Sequence, residues 1–182
     1  MVIGTVLVIL IALGPIAYFY WRQYKVNTPS LQWPALAEVL KMDYAAKPPR
    51  ISGQWNGRAV RIELKDSSVL VSALVSRPSR LRIEIGPKEQ VAARAGVVVP
   101  DPVPTHDPDF DGRYLARCND RAVGQRLVDP VLRQRLLEQP VVDILGEGQA
   151  ARWRLPEAKD PDQLEPVLDI VTIIADEMER YA

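Results

Sequence analysis

The first twenty residues restrict this chain more than any other stretch does. From Val2 through Tyr20 there is no charged side chain. A helix of about 20 residues rises roughly 30 Å, the thickness of a bilayer's hydrocarbon core. Only a helix can sit there alone, because lipid offers the backbone no hydrogen bonds. Residues 1–22 therefore read as a transmembrane anchor that meets the bilayer through residues 2–21. Tyr18, Tyr20 and Trp21 cluster at its far end, where amphipathic rings favour the headgroup level. Arg22 and Lys25 follow at once, and the next acidic residue is Glu38. The cationic flank is C-terminal, so the positive-inside rule predicts a single-pass protein with its C-terminal domain in the cytoplasm. A cleaved signal peptide would show a basic leader, a shorter apolar core and a small-x-small cleavage site. Here a lone Met precedes the run, and aromatics occupy the place of cleavage.

Residues 23–30 make a short juxtamembrane linker, and residues 31–182 are enough for one domain with its own core. Acids and bases balance at 23 each, which argues against a nucleic-acid binder with its basic footprint. One cysteine, Cys118, excludes an internal disulfide, and one histidine, His106, excludes any site that needs two.

Periodicity predicts an α+β domain with an antiparallel sheet, built from a strand meander and a hairpin and packed by three or four helices. Trp33-Pro34 opens a helix that fades by Tyr44. Strands follow over Ile51 to Trp55 and Arg58 to Leu64, joined by Asn56-Gly57, a dipeptide suited to a type I′ turn. Asp66-Ser67-Ser68 turns the chain into a strand over Val69 to Val75. Arg77-Pro78-Ser79 turns it again into a fourth strand over Leu81 to Ile85. A proline-rich loop spans 86–109, with a short helix from Glu89 to Ala95 on its way. A fifth strand runs from Phe110 to Cys118, then a helix from Asp120 to Val128. Asp129 caps a second helix, with Pro130 at its first position and Val131, Leu132, Leu136 and Leu137 on one face. Val141 to Leu145 and Gln149 to Leu155 read as a hairpin around Gly146-Glu147-Gly148. Asp160-Pro161 opens the last helix, although Pro166 argues for a later start. Leu164, Val167, Leu168, Val171, Ile174, Ala175 and Met178 form its apolar stripe.

The densest group of chemical side chains is Thr105 to Gly112. Asp107, Asp109, Asp111 and Gly112 match the opening of a calcium loop, in which carboxylates at alternate positions converge on a hard cation. Such a loop closes with a bidentate Glu at its twelfth position, where this chain has Cys118. The competing reading is an acidic turn with Phe110 packed inward. His106 beside Asp107 offers a general base without any nucleophile motif to pair with it. Cys118 reads as a small core residue, and Trp33, Trp55 and Trp153 as core or rim aromatics. Arg58, Arg61, Arg80 and Arg82 on the meander strands offer a surface for acidic lipid heads, against the plainer reading of a mixed-charge face.

Two resemblances follow from these residues. Asp109-Phe110-Asp111-Gly112-Arg113-Tyr114, with Leu127 to Arg133 and Leu136-Leu137 behind it, resembles a pattern in uncharacterised bacterial membrane proteins. It implies an inner-membrane protein of no known activity. The element order also looks like the type III secretion chaperone-like fold, which implies binding of a polypeptide. With no complete catalytic set and no cofactor motif, the sequence favours a membrane-anchored, non-enzymatic interaction domain with a protein partner. The alternatives are a metal-dependent enzyme on Asp107, Asp109 and Asp111, and an anionic-lipid binder.

Overall fold

The computed structural model describes residues 30–94 and 99–182, together with Gly14 and Tyr18, both helical. The remainder of the predicted anchor, and the linker up to residue 29, lie outside the described residues. Among those described, no helix is long and apolar enough to cross a membrane. Within them, seven strands form one antiparallel sheet, and helices pack beside it. The predicted α+β class holds.

Helix α1 (Trp33–Val39) starts at the predicted Trp-Pro and stops where Lys41 turns to a positive φ. The chain then enters β1 (Asp43–Ala46), a strand the helical reading of Tyr44 had concealed. It pairs with β2 (Pro49–Trp55), which pairs with β3 (Arg58–Lys65). Asn56 and Gly57 both take positive φ at the tip between them, as do Asp66 and Ser67 at the next turn. Each is the left-handed geometry that a type I′ connection demands.

The largest departure from expectation lies in the two longest strands. The third and fourth predicted strands are one continuous strand, β4 (Ser68–Pro87). The predicted hairpin of Val141 to Leu155 is likewise one strand, β7 (Ile144–Leu155), laid antiparallel along β4. The predicted turn residues do not separate strands; they act as irregularities inside paired strands. The β4–β7 register shifts between Leu74 and Ser79 and again between Ser79 and Ile83, with Ser79 opposite Gly148 and Ile83 opposite Gly146. Pro78 and the two glycines fall in this interruption, where Pro and Gly belong in a strand. Gly148 takes φ +60° there. The bend is sharp enough to bring the two ends of β7 side by side. The Arg154 backbone N–H donates to the Asp143 carbonyl at 2.9 Å, and the Trp153 indole N–H to the Val141 carbonyl at 3.1 Å.

Strand β4 is thus the spine. One of its edges is shared by β3 along the first half and by β6 (Tyr114–Cys118) along the second, and β7 takes the other edge. Two residues, β5 (Asp101–Pro102), extend the sheet beyond β6. The proline-rich segment carries α2 (Lys88–Ala93), as predicted, and then α3 (Pro108–Arg113). The latter replaces the first half of the predicted fifth strand. Asp107 caps it and Pro108 sits in its first turn, the same device as at Asp129-Pro130 and Asp160-Pro161. Helices α4 (Arg121–Leu127) and α5 (Pro130–Leu137) follow their predicted bounds closely. The last helix, α6 (Pro161–Glu179), begins at its cap and takes Pro166 inside.

One face of the sheet is buried. Ile51, Ile62, Val71 and Trp153 stand side by side across four strands, all fully buried. The predicted stripe of α6 is buried with them, together with Trp33 and Phe110. The Trp33 indole N–H donates to the Ala158 carbonyl at 3.1 Å, which ties the entry of the chain to the segment after β7.

Candidate functional site

Helices α5 and α6 leave a channel between them on the helix-covered side of the sheet. It has two clefts joined at Arg135. The first, about 360 Å³, is lined among others by Arg126, Val131, Leu132, Ile173 and Arg180. Val131 is 61% exposed and Ile173 38%, so two aliphatic side chains face the opening without cover. Leu132 and Leu136 of the same helix are buried, which fixes the rotation of α5 and turns Val131 outward.

The charged rim of this cleft is largely balanced within itself. Glu177 is buried and held by Arg126 and by Arg180, the latter at 2.9 Å. The Glu177 carboxylate, and the Tyr181 hydroxyl after it, push the Arg126 guanidinium further above its already high pKa. Asp176 accepts from Arg58 Nε at 2.8 Å, and Asp129 is committed to its cap, accepting the Leu132 N–H at 2.7 Å. The second cleft, about 390 Å³, is different. Glu138, Asp162, Glu165 and Asp169 line it against the single cation Arg135. Asp169 accepts from the Trp55 indole at 2.7 Å and from the Asn56 amide at 3.0 Å, so the β2–β3 turn is pinned to α6 from this side. Asp162 and Glu165 have no side-chain partner among the described residues. The channel therefore runs from an aliphatic, charge-balanced half to an acidic half.

The acidic motif singled out in the sequence does not make a converging set. Asp107 accepts the Phe110 N–H at 3.2 Å and pairs with Arg133 Nε at 2.9 Å. Those two partners, the backbone bond first, lower its pKa. Asp111 accepts from the Thr105 hydroxyl at 2.6 Å. Asp109 is exposed on the first turn of α3. Among the described residues no three His, Cys, Asp or Glu side chains are placed to hold a metal ion. Phe110 is fully buried, 5.6 Å from the Tyr114 ring, and it draws the segment into a capped helical turn. His106 is exposed, and Asp107 is engaged by the Phe110 N–H and by Arg133, so the histidine gains no orienting carboxylate there. Cys118 is buried at the end of β6, and burial pushes its thiol pKa up, away from the reactive thiolate.

The four meander arginines also separate. Arg58 is bound by Asp176 and Glu179 of α6, and Arg82 by Glu84 and Glu147. Arg80 is exposed beyond the bend. Arg61 alone stays on the open face of the sheet. There it is joined by Arg50, Arg152 and Arg154, a grouping that arises only from the pairing of distant strands.

The class defined by these features is an α+β domain whose bent antiparallel sheet is covered on one face by a long C-terminal helix. No family model matches the chain, and no curated protein matches it. Among solved structures, the crystal structure of the mycobacterial trehalose monomycolate transport factor A, TtfA, matches it with a TM-score of 0.60 at 11% identity. The match covers 84% of this chain and 96% of that one, so nearly the whole of TtfA's solved fold is present here. At this identity the likeness is one of fold.

Proposed function

We propose that this protein is a membrane-tethered, non-enzymatic docking domain that holds a partner polypeptide at the cytoplasmic face of a bacterial inner membrane. The observation that carries the reading is the channel between α5 and α6. Exposed Val131 and Ile173 supply apolar contact, the self-paired charges around them form a polar rim, and the acidic half beyond Arg135 supplies directional charge. Interfaces that bind polypeptides combine an apolar centre with such a rim. The partner segment that fits carries aliphatic side chains followed by Lys or Arg. The apolar run of residues 2–21 with its C-terminal cations supports the location, and the fold shared with a transport factor supports a role without catalysis of its own.

The test is site-specific photo-crosslinking in cells with the full-length chain. A crosslinker at Val131 and, separately, at Ile173 should capture the same protein, while one at Gln54 on the opposite side should not. Val131→Asp should abolish capture from Ile173. Capture that is equal from all three positions, or none from Val131 and Ile173, would remove the channel as a docking site.

A further inference from the structure

The open face of the sheet carries two rows of charge that the cross-strand register defines. In the first, Arg50, Glu63, Leu70 and Arg154 lie side by side on β2, β3, β4 and β7. In the second, Ser52, Arg61, Ser72 and Arg152 do the same. Their neighbours in sequence, Ile51, Ile62, Val71 and Trp153, are the buried row, so the arginines point the other way. Strands about 4.8 Å apart put Arg61 and Arg152 roughly 10 Å apart across β4. No ion pair holds any of the four arginines among the described residues, and the Nε atom of Arg50 is buried without a partner. The carboxylates on or beside these rows are Asp43, Glu63 and Asp143, and Asp143 is taken by Arg94. In contrast to Arg58 and Arg82, these cations carry no ion pair among the described residues; Arg154 is exposed and the other three are half-buried.

We infer that the Arg50–Arg61–Arg152–Arg154 face docks on anionic phospholipid headgroups of the bilayer that anchors the chain. The site is a spread of guanidinium groups over a sheet surface, suited to several phosphates in a plane, and guanidinium is the side chain that best matches phosphate. Its place in the fold agrees. The Trp33–Ala158 bond fixes the entry of the chain a few residues beyond Arg154 in β7. Residues 22–29 fully extended reach only about 30 Å, so this end of the sheet stays within reach of the headgroups. The helical channel lies on the other side, which leaves it facing the cytoplasm while the arginines face the membrane. The inference rests on the proposed anchorage.

The experiment uses the full-length chain in vesicles of phosphatidylcholine, with or without phosphatidylglycerol. A donor fluorophore is placed at Ala59→Cys, on the open face, or at Gln134→Cys, on α5, with an acceptor on a headgroup lipid. Transfer from position 59 should rise with the anionic fraction, exceed that from position 134, and fall back at high salt. At about fivefold per arginine, the triple variant Arg61→Gln, Arg152→Gln, Arg154→Gln should lower the docked-to-free ratio by about a hundredfold. Transfer indifferent to lipid charge, unchanged in the triple variant, or stronger from position 134 would overturn the inference. Loss of the chain from the vesicles on alkaline wash would instead overturn the anchorage itself, a separate failure.

Discussion

At the scale of single residues, two positions carry consequences that their residue type alone does not announce. Gly124 lies inside α4, where alanine ordinarily favours a helix by about 1 kcal/mol over glycine. A Cβ there would stand 2.6 Å from a Val103 methyl and 2.8 Å from the Cys118 Cβ. Gly124→Ala should therefore destabilise the fold by about 1–3 kcal/mol, as overpacked cores do. Gly112→Ala, whose Cβ meets nothing within 4 Å, should be neutral or stabilising. In urea melts the midpoint should fall for Gly124→Ala and stay level or rise for Gly112→Ala. Glu179 is the second position. The Ser76 hydroxyl and backbone N–H, and then Arg58, hold its pKa at about 2 against an ordinary 4.5. The folded chain takes up this proton later than the unfolded one. Its contribution is full above about pH 4.5 and is lost as the pH falls toward 2. Glu179→Gln should flatten that part of the acid-stability curve while leaving its other steps in place. An unchanged curve would mean that Ser76 and Arg58 do not bind this carboxylate in solution.

At the scale of elements, the helices were legible because their signals are local. Asp120, Asp129 and Asp160 each accept a backbone N–H at the start of α4, α5 and α6. Asp129→Ala should cost about 1 kcal/mol through that lost bond, read as a drop in the thermal midpoint. The same Asp-Pro signal at Asp107-Pro108 is masked by the alternating aspartates, whose spacing also matches a calcium loop. With Asp107 and Asp111 already bonded within the protein, adding about 1 mM calcium should leave the thermal midpoint unmoved, a level at which even weak extracellular sites fill. The strands were less legible. Pro78 and Gly146-Glu147-Gly148 carry the composition of turns, and nothing local reveals that a distant strand will pair across both bends. The arginine rows share that blindness, since Arg61 and Arg152 become neighbours only through β4. Ile170 and Ile173 both lie off the stripe of α6, yet Ile170 is fully buried and Ile173 exposed, a distinction that only the packing reveals.

At the scale of the whole molecule, the fold separates two faces, an arginine-bearing sheet and a helical channel, each with a proposed role. Which compartment they occupy can be measured through the chain's own chemistry. Cys118 is buried, so the native protein should stay silent toward a membrane-impermeant maleimide. A Gln125→Cys variant, at an exposed position of α4, should remain unlabelled in intact cells and react once they are lysed. Labelling of intact cells would reverse the proposed topology and place both faces outside.

The long partnership of β4 with β7 also sets a schedule for biosynthesis. All of β4 has been made by Pro87, yet the strand that satisfies its second edge is finished only at Leu155. At ribosomal rates this leaves a bare row of backbone donors and acceptors for on the order of ten seconds. Through that interval the nascent chain offers a template to any passing strand, and a message truncated within it would yield a product prone to stick to itself.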